Sequence, residues 1–518
     1  MFKENHKHIQ NSIFGIHNTL PEALLKKLEN SSQHIFYKLI FCNIREHDFS
    51  VLYSDKASRP NAPINSLVSS MIMKQKHNWS DSELFEEIAF NLLTKTALGL
   101  DKIDDIPFDE STYYNFQNRL KNYYIETGIN LLELVFDSLT KQQIKQLHIK
   151  TDIQRTDSMM ACSNIRQYSR LQLLIEVLLR LWRVLSQADK SLLSTMFDDY
   201  TKKSSGQYIY KLKSSDIPHE LDKVAQIYHY CHQHILPNYQ SLDLYPIFER
   251  VYNEHFTEIS DKIELKDTTE LHSGCLQSPD DVDATYRVKR EEEYRGQVIN
   301  VVETASPDNK INLITDVAVA TNNTDDSVIL NERIDQIKEK TPDINEIHED
   351  GAYGSADNDQ KFKEYDITAI QTAVRGRQSG VFIEIKQLSE SSYKVKCPNQ
   401  TVLSIRTEKR YKAEFDKGIC NGCQLADKCP SKEMKNNRTY YFTEEDYLRN
   451  QRIRNILEIP PERRKIRPNV EATVKEFSCR LNNGKLKLRG SFGAIKFAFA
   501  TAISINFGRI FRYMFQYC

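Results

Sequence analysis

Apolar positions recur at helical spacing through the first quarter of the chain. Leu67, Met71 and Ile72 precede Trp79, and Leu84, Phe85 and Ile88 then share one face behind Ser80, which predicts a helix capped by that serine. After an acidic, proline-containing stretch at 101–109, Ser111 or Thr112 is the expected cap of a further helix carrying Tyr113, Phe116 and Leu120. Residues 20–145 therefore read as helical, a pattern that suits a helix-turn-helix DNA reader and equally any small bundle. The texture changes at 146. Residues 147–157 alternate, with Ile149, Thr151, Ile153 and Asp157 on one side, so a strand ending at Asp157 is expected. A long helical tract over 166–263 follows, with Leu171, Leu173, Leu174, Val177 and Leu178 at helical spacing. Strands are then predicted at 296–302, 311–319, 344–350 and 366–373, with an amphipathic helix at 327–340. Residues 380–445 read as short strands and loops, and 469–517 as helical and basic.

This order predicts a mixed α/β architecture. Its expected divisions are a helical module over 1–145, a core built from 146–164 and 270–378, a helical insertion over 165–269, a Cys-rich insertion over 379–445, and a basic helical end over 446–518. The length, 518 residues, suits two to four such units. A net charge of −1 excludes a polybasic, histone-like protein, yet residues 431–518 carry a net charge of +10, so the charge is polarised along the chain. Residues 1–12 hold no apolar run, so no secretory signal is expected. The longest apolar stretch, 497–508 between Lys496 and Arg509, is short for a bilayer and predicts a buried helix. A soluble, cytoplasmic protein with reduced thiols is the expectation.

Four of the ten cysteines, Cys397, Cys420, Cys423 and Cys429, fall within 33 residues. Cysteines two residues apart can grip one tetrahedral zinc from a tight turn, and four thiolates with no open position make a structural site. The expected role is to hold an insert that lacks a core of its own.

The remaining chemistry lies in carboxylates. Asp157 and Asp350 are each expected at a strand end, where α/β sheets present functional groups, although such residues more often cap turns. Their surroundings are specific: Arg155-Thr156-Asp157-Ser158 with Ala161-Cys162-Ser163-Asn164-Ile165-Arg166, then Asp350-Gly351-Ala352-Tyr353-Gly354-Ser355. Later come Val470-Glu471-Ala472-Thr473-Val474-Lys475 and Asn506-Phe507-Gly508-Arg509. These segments resemble transposases of bacterial insertion sequences, of the DDE class with a ribonuclease H-like core. The resemblance extends over about 36–120 and the Cys-bearing insert.

The resemblance implies that Asp157, Asp350 and Glu471 hold two Mg²⁺ ions, or Mn²⁺, for phosphodiester chemistry, which needs cations about 4 Å apart. Asp152 and Asp316 lack the family wording and are read as structural. Arg467 and Glu471 resemble the Arg and Glu of a Tyr–Arg–Glu–Lys signature, with Arg464 at the Tyr position and Ser478 at the Lys position. Pro468 disfavours helical geometry at Arg467 unless it opens the helix itself. Arg463, Arg464, Lys465, Arg467, Lys475, Arg480, Lys485, Lys487 and Arg489 surround Glu471 as candidate DNA contacts, whose phosphate neutralisation would make binding salt-sensitive. The implied partners are double-stranded DNA, as the element's inverted terminal repeats and a target, and a second copy of the chain. A non-catalytic DNA-binding derivative and a plain metal-dependent nuclease of the same fold are the alternatives.

Overall fold

The computed structural model describes all residues except 10–11, 14, 55, 57–58, 260–261, 375–378, 390 and 517–518. The expected boundary at 378 and the expected helix end at 517 lie outside the described residues. The amino-terminal region is helical, as its periodicity requires. Ser80 caps the helix Asp81–Phe90 in a reciprocal capping box with Glu83. The helix Glu110–Thr127 begins earlier than expected: Asp109, not Ser111 or Thr112, caps it by accepting the Thr112 amide.

The first strand, β1, spans Ile153–Cys162. The alternation over 147–157 was misleading, because Leu147 ends the helix Leu131–Leu147 and His148, at φ 51°, terminates it in the left-handed region without a glycine. Asp157 consequently lies in the middle of its strand. The helical insertion comprises five α-helices from Arg170 to His255 around its own core, which includes Leu174, Val177, Phe197, Tyr228 and Phe248. It ends in a hairpin, β2 at Phe256–Ile259 and β3 at Lys262–Leu265, where helix was expected.

The main sheet has six strands: β1, β4 at Thr285–Lys289, β5 at Glu292–Thr304, β6 at Ile314–Thr321, β7 at Glu346–Glu349 and β8 at Thr368–Gln371. Strand β5 lies antiparallel to β1 on one side and to β4 and β6 on the other. Strands β7 and β8 continue the sheet beyond β1 in parallel. The expected helix at 327–340 is present as Asp326–Lys340, and β4 was not foreseen.

Residues 380–445 form a second six-stranded sheet: β9 at Glu384–Ser389, β10 at Ser392–Lys396, β11 at Thr401–Arg406, β12 at Tyr411–Asp416, β13 at Lys432–Glu433 and β14 at Asn437–Phe442. Contrary to expectation this insert has a core, made of Ile383, Ile385, Tyr393, Val395, Ala413, Phe415 and Phe442. Alternate residues of its strands supply that core, so a metal is not its sole support.

The last helix, Ser491–Gln516, joins the units. It packs on β6 and on the helices Ile64–His77 and Leu131–Leu147, so the amino-terminal module and the main sheet share one hydrophobic core. The rings of Phe507 and Phe36 meet edge-on at 5.2 Å, and those of Phe499 and Phe136 at 5.8 Å. Among the described residues this is the one helix long and apolar enough to cross a membrane, and most of its apolar stretch is buried inside the fold.

Candidate active site

Strand β1 outruns its parallel neighbour. Pairing with β7 covers only Ile153 to Arg155, with Arg155 opposite His348. Two residues further along both strands stand Asp157 and Asp350, at one level of the sheet where β7 has ended. Asp157 is thus mid-strand towards β5, facing Val301, and at an open edge towards β7. Asp350 caps the short turn Gly351–Tyr353, its Oδ1 accepting the Ala352 amide at 2.6 Å. Gly351 is required by close approach to backbone, and Gly354 leaves room for the Arg452 side chain. A Cβ on Gly351 would stand 2.3 Å from the Ala373 carbonyl oxygen, and one on Gly354 would stand 1.8 Å from the Arg452 guanidinium.

Glu471 arrives from the other side of the sequence. Arg467–Asn469 form a 3₁₀ turn containing Pro468, and the helix Val470–Ser478 follows with Glu471 in its first turn. Arg467 and Glu471 therefore keep a spacing of one helical turn across the proline, and Arg467 Nη1 donates to Glu471 Oε1 at 3.0 Å. The same guanidinium reaches both aspartates: its Nη2 lies 2.9 Å from Asp157 Oδ2 and 3.7 Å from Asp350 Oδ2. One cation thus gathers the three carboxylates. Each aspartate commits one oxygen to a local amide, Ser158 or Ala352, and turns the other to Arg467. Exposure rises from Asp157 at 16% through Asp350 at 44% to Glu471 at 65%, so the cluster opens to solvent on one side. Burial pushes the Asp157 carboxyl up from its ordinary value, and Arg467 opposes that shift.

A buried network behind the cluster holds its elements together. Glu303 of β5 is fully buried; its Oε1 accepts Arg155 Nε at 2.7 Å, and its Oε2 accepts Arg509 Nη1 at 2.6 Å and Thr473 Oγ1 at 2.7 Å. The carboxylate ties β1, the Glu471 helix and the last helix to one point. Nothing around Glu303 in the sequence singles it out. Tyr353 is also buried, and its hydroxyl accepts Asn300 Nδ2 at 2.6 Å beneath Asp157.

Glu349, beside Asp350, is fully buried; its Oε1 accepts Gln371 Nε2 at 2.6 Å and its Oε2 has no partner. Burial pushes this carboxyl up to about 8. A raised carboxyl requires the folded chain to keep a proton that the unfolded chain loses above about 4.5, so this group costs stability increasingly from there to about pH 8. Glu349→Gln is expected to raise the melting temperature, with a larger gain at pH 8 than at pH 5. Equal gains at both values, read by thermal unfolding, would refute this account.

The candidate basic residues divide. Arg464, Lys465 and Lys475 are exposed, as are Lys487 and Arg489, which also bond to the protein. Arg463 pairs with Glu346, and Arg480 donates to the carbonyls of Gln75 and Glu476. Lys485 reaches the Ile165 carbonyl, Lys487 those of Asn78 and Trp79, and Arg489 that of Asn164. Asp316 is buried and bound by Arg333 and Lys340, away from the cluster. Asp152 uses its backbone carbonyl to receive the amides of Asn345 and Glu346.

Cys397, Cys420, Cys423 and Cys429 line one hollow of the insert with Val381, Phe415, Leu425 and Arg438. Gln400 Nε2 donates to Cys420 Sγ at 3.3 Å, and burial pushes the Cys420 thiol up. Among the described residues, the one group of three His, Cys, Asp or Glu ligand atoms mutually within 4.8 Å lies elsewhere, at Glu254, His272 and Cys275. There Glu254 is already paired with Arg250 at 2.7 Å and accepts the Leu276 amide at 2.7 Å.

With two aspartates and a glutamate converging beside a basic segment, the class is defined by two family matches. Residues 24–119 match a transposase domain, DUF772, and residues 391–511 match a transposase DDE domain. The two matches, one at each end of the chain, support a DDE-class transposase of an insertion element. Glu471, Arg467, the four clustered cysteines and the basic candidates fall inside the second match; Asp157 and Asp350 lie outside both. Neither a curated protein nor a solved structure matches the chain.

Proposed function

We propose that this transposase binds the terminal inverted repeats of its element and catalyses metal-dependent DNA cleavage and strand transfer. Asp157, Asp350 and Glu471 are its metal-holding carboxylates. The observation that carries this reading is the convergence of these residues, 193 and 121 positions apart in sequence, on a single guanidinium. Aspartates on adjacent parallel strands of a mixed sheet, with a helix-borne glutamate, also support a ribonuclease H-like core.

The donor set fits hard divalent cations, because each aspartate keeps one oxygen free of backbone bonds and the cluster is open to solvent. Two such ions, when bound, activate the attacking oxygen and stabilise the leaving oxygen of a phosphodiester. The chain itself positions. The sheet holds the aspartates level, the Glu303 network fixes the Glu471 helix, and the exposed Arg464, Lys465 and Lys475 neutralise phosphates. The other basic candidates spend donors on the protein and anchor the segment, Lys487 and Arg489 while still exposed to a phosphate. The amino-terminal module would read the element ends, and two copies of the chain would hold both ends together.

The test is an assay of the purified protein with Mg²⁺ and DNA carrying the gene's own flanks, scored for cut and joined products. Joined products support transposition; cutting without joining leaves a nuclease; salt-sensitive binding without cutting leaves a DNA-binding protein.

For the insert, four thiols around one hollow have the donor chemistry of a zinc site, although no three of their sulfurs lie within 4.8 Å of one another. The purified chain is expected to carry zinc, measured by elemental analysis, and Cys423→Ser to lose it while the insert's core keeps its sheet. Equal zinc in both proteins would sink the assignment.

A further inference from the structure

The cation that gathers the three carboxylates belongs to the chain itself. Arg467 directs Nη1 at Glu471 and Nη2 at both aspartates, and the oxygens it meets on Asp157 and Asp350 are those not bound to local amides. Any other cation using these oxygens must share them with a guanidinium or displace it. Deprotonation offers no way out, because arginine stays charged, so the side chain has to move. Its seat is imperfect: Arg467 Nε is buried without a hydrogen-bond partner. The residue also precedes the helix Val470–Ser478, so its side chain can swing without unwinding the helix that carries Glu471. The exposed Arg464 and Lys465 lie on the preceding turn and Lys475 on the following helix, which makes this segment a place where a phosphate can dock. A phosphate accepts a guanidinium in the same two-pronged manner as a carboxylate.

We propose that Arg467 is a built-in competitor for the divalent cation: it occupies the three carboxylates in the DNA-free chain, and a phosphate of bound DNA draws it away and opens them to metal. Metal loading is thereby coupled to DNA binding, and the free protein is kept from acting as an indiscriminate metal-loaded nuclease. This rests on the reading that Asp157, Asp350 and Glu471 hold the metal.

The test is Mn²⁺ binding by the full chain, followed by electron paramagnetic resonance of the free ion, with and without a double-stranded oligonucleotide. Without DNA, Arg467→Ala is expected to bind Mn²⁺ roughly tenfold or more tightly than wild type, the scale of losing charge-assisted hydrogen bonds. The duplex is expected to tighten wild-type binding towards that of the variant and to change the variant little. Arg467→Gln, which keeps side-chain bulk and donors without charge, serves where the alanine variant fails to fold. The wild-type comparison with and without duplex needs no variant at all. Equal affinities of wild type and both variants, or a duplex without effect on wild type, would overturn the proposal. Tight Mn²⁺ binding that survives Asp157→Asn in the Arg467→Ala background, or none in any protein, would instead overturn the carboxylate reading beneath it.

Discussion

Asp350→Asn is expected to abolish DNA cutting and joining while leaving the fold intact. Asparagine retains the size of the side chain and an Oδ1 able to accept the Ala352 amide, the 2.6 Å bond that caps the turn Gly351–Tyr353. What it loses is charge on the oxygen facing the cation position, at a residue 44% exposed and only 3.7 Å from Arg467. Removal of such a contact costs little stability. Catalysis is another matter, since holding the cation supplies several kcal/mol of charge stabilisation and each 1.36 kcal/mol is tenfold, giving a loss on the order of a thousandfold. The measurement pairs product yield on flanked DNA with thermal unfolding. Activity within tenfold of wild type would remove Asp350 from the site; a collapsed melting temperature would assign it a structural role instead.

Glu303→Ala attacks the scaffold. Glu303 is the shared acceptor of Arg155, Arg509 and Thr473, and its side chain is fully buried. Truncation leaves Arg155, itself 9% exposed, without its carboxylate, and deprives Arg509 of one of its two. Breaking a buried pair from one side costs about 3–5 kcal/mol, because the partner charge stays in a place that cannot solvate it. Thr473 lies two residues from Glu471 on the same helix, so activity is expected to fall with stability. Urea unfolding checks the first effect; a loss under about 1 kcal/mol would show that the network carries no more than surface pairs do. Glu303→Gln, which keeps one acceptor oxygen but loses the charge and the second acceptor, is expected to fall between alanine and wild type.

The same network explains what the sequence disclosed and what it withheld. The wording around Asp157 was readable as a block, and the structure gives each letter a task. Arg155 binds Glu303, Thr156 meets Asn300, and Ser158 donates to Asp326 at 2.7 Å. In the last block Asn506 brackets the backbone of Ile314, Phe507 packs on Phe36, and Arg509 reaches Glu303. Glu303 itself was invisible. It sits within an ordinary strand, and its partners come from positions 155, 473 and 509, contacts that exist only after the sheet has formed. The central place of Arg467 was hidden for the same reason, since its i to i+4 link with Glu471 is local but its reach to both aspartates is not. The first strand was displaced because an alternating run crossed a helix end that carries no glycine. The insert's core was within reach: Ile383 and Ile385, Tyr393 and Val395, and Ala413 and Phe415 are pairs two residues apart, the period of a half-buried strand.

The shared hydrophobic core imposes an order on biosynthesis. Phe36 and the helix Ile64–His77 emerge early from the ribosome, yet the helix that covers them begins only at Ser491. At about 5–20 residues per second, the amino-terminal apolar surface waits on the order of tens of seconds for its cover. The amino-terminal segment matched as a transposase domain thus gains part of its cover only when the chain is nearly complete. During synthesis its helices present Leu67, Met71 and Ile72 to whatever chaperone shields them. A chain that stops before Ser491 is therefore expected to leave Phe36 and the apolar face of Ile64–His77 uncovered and to be less soluble than the full chain.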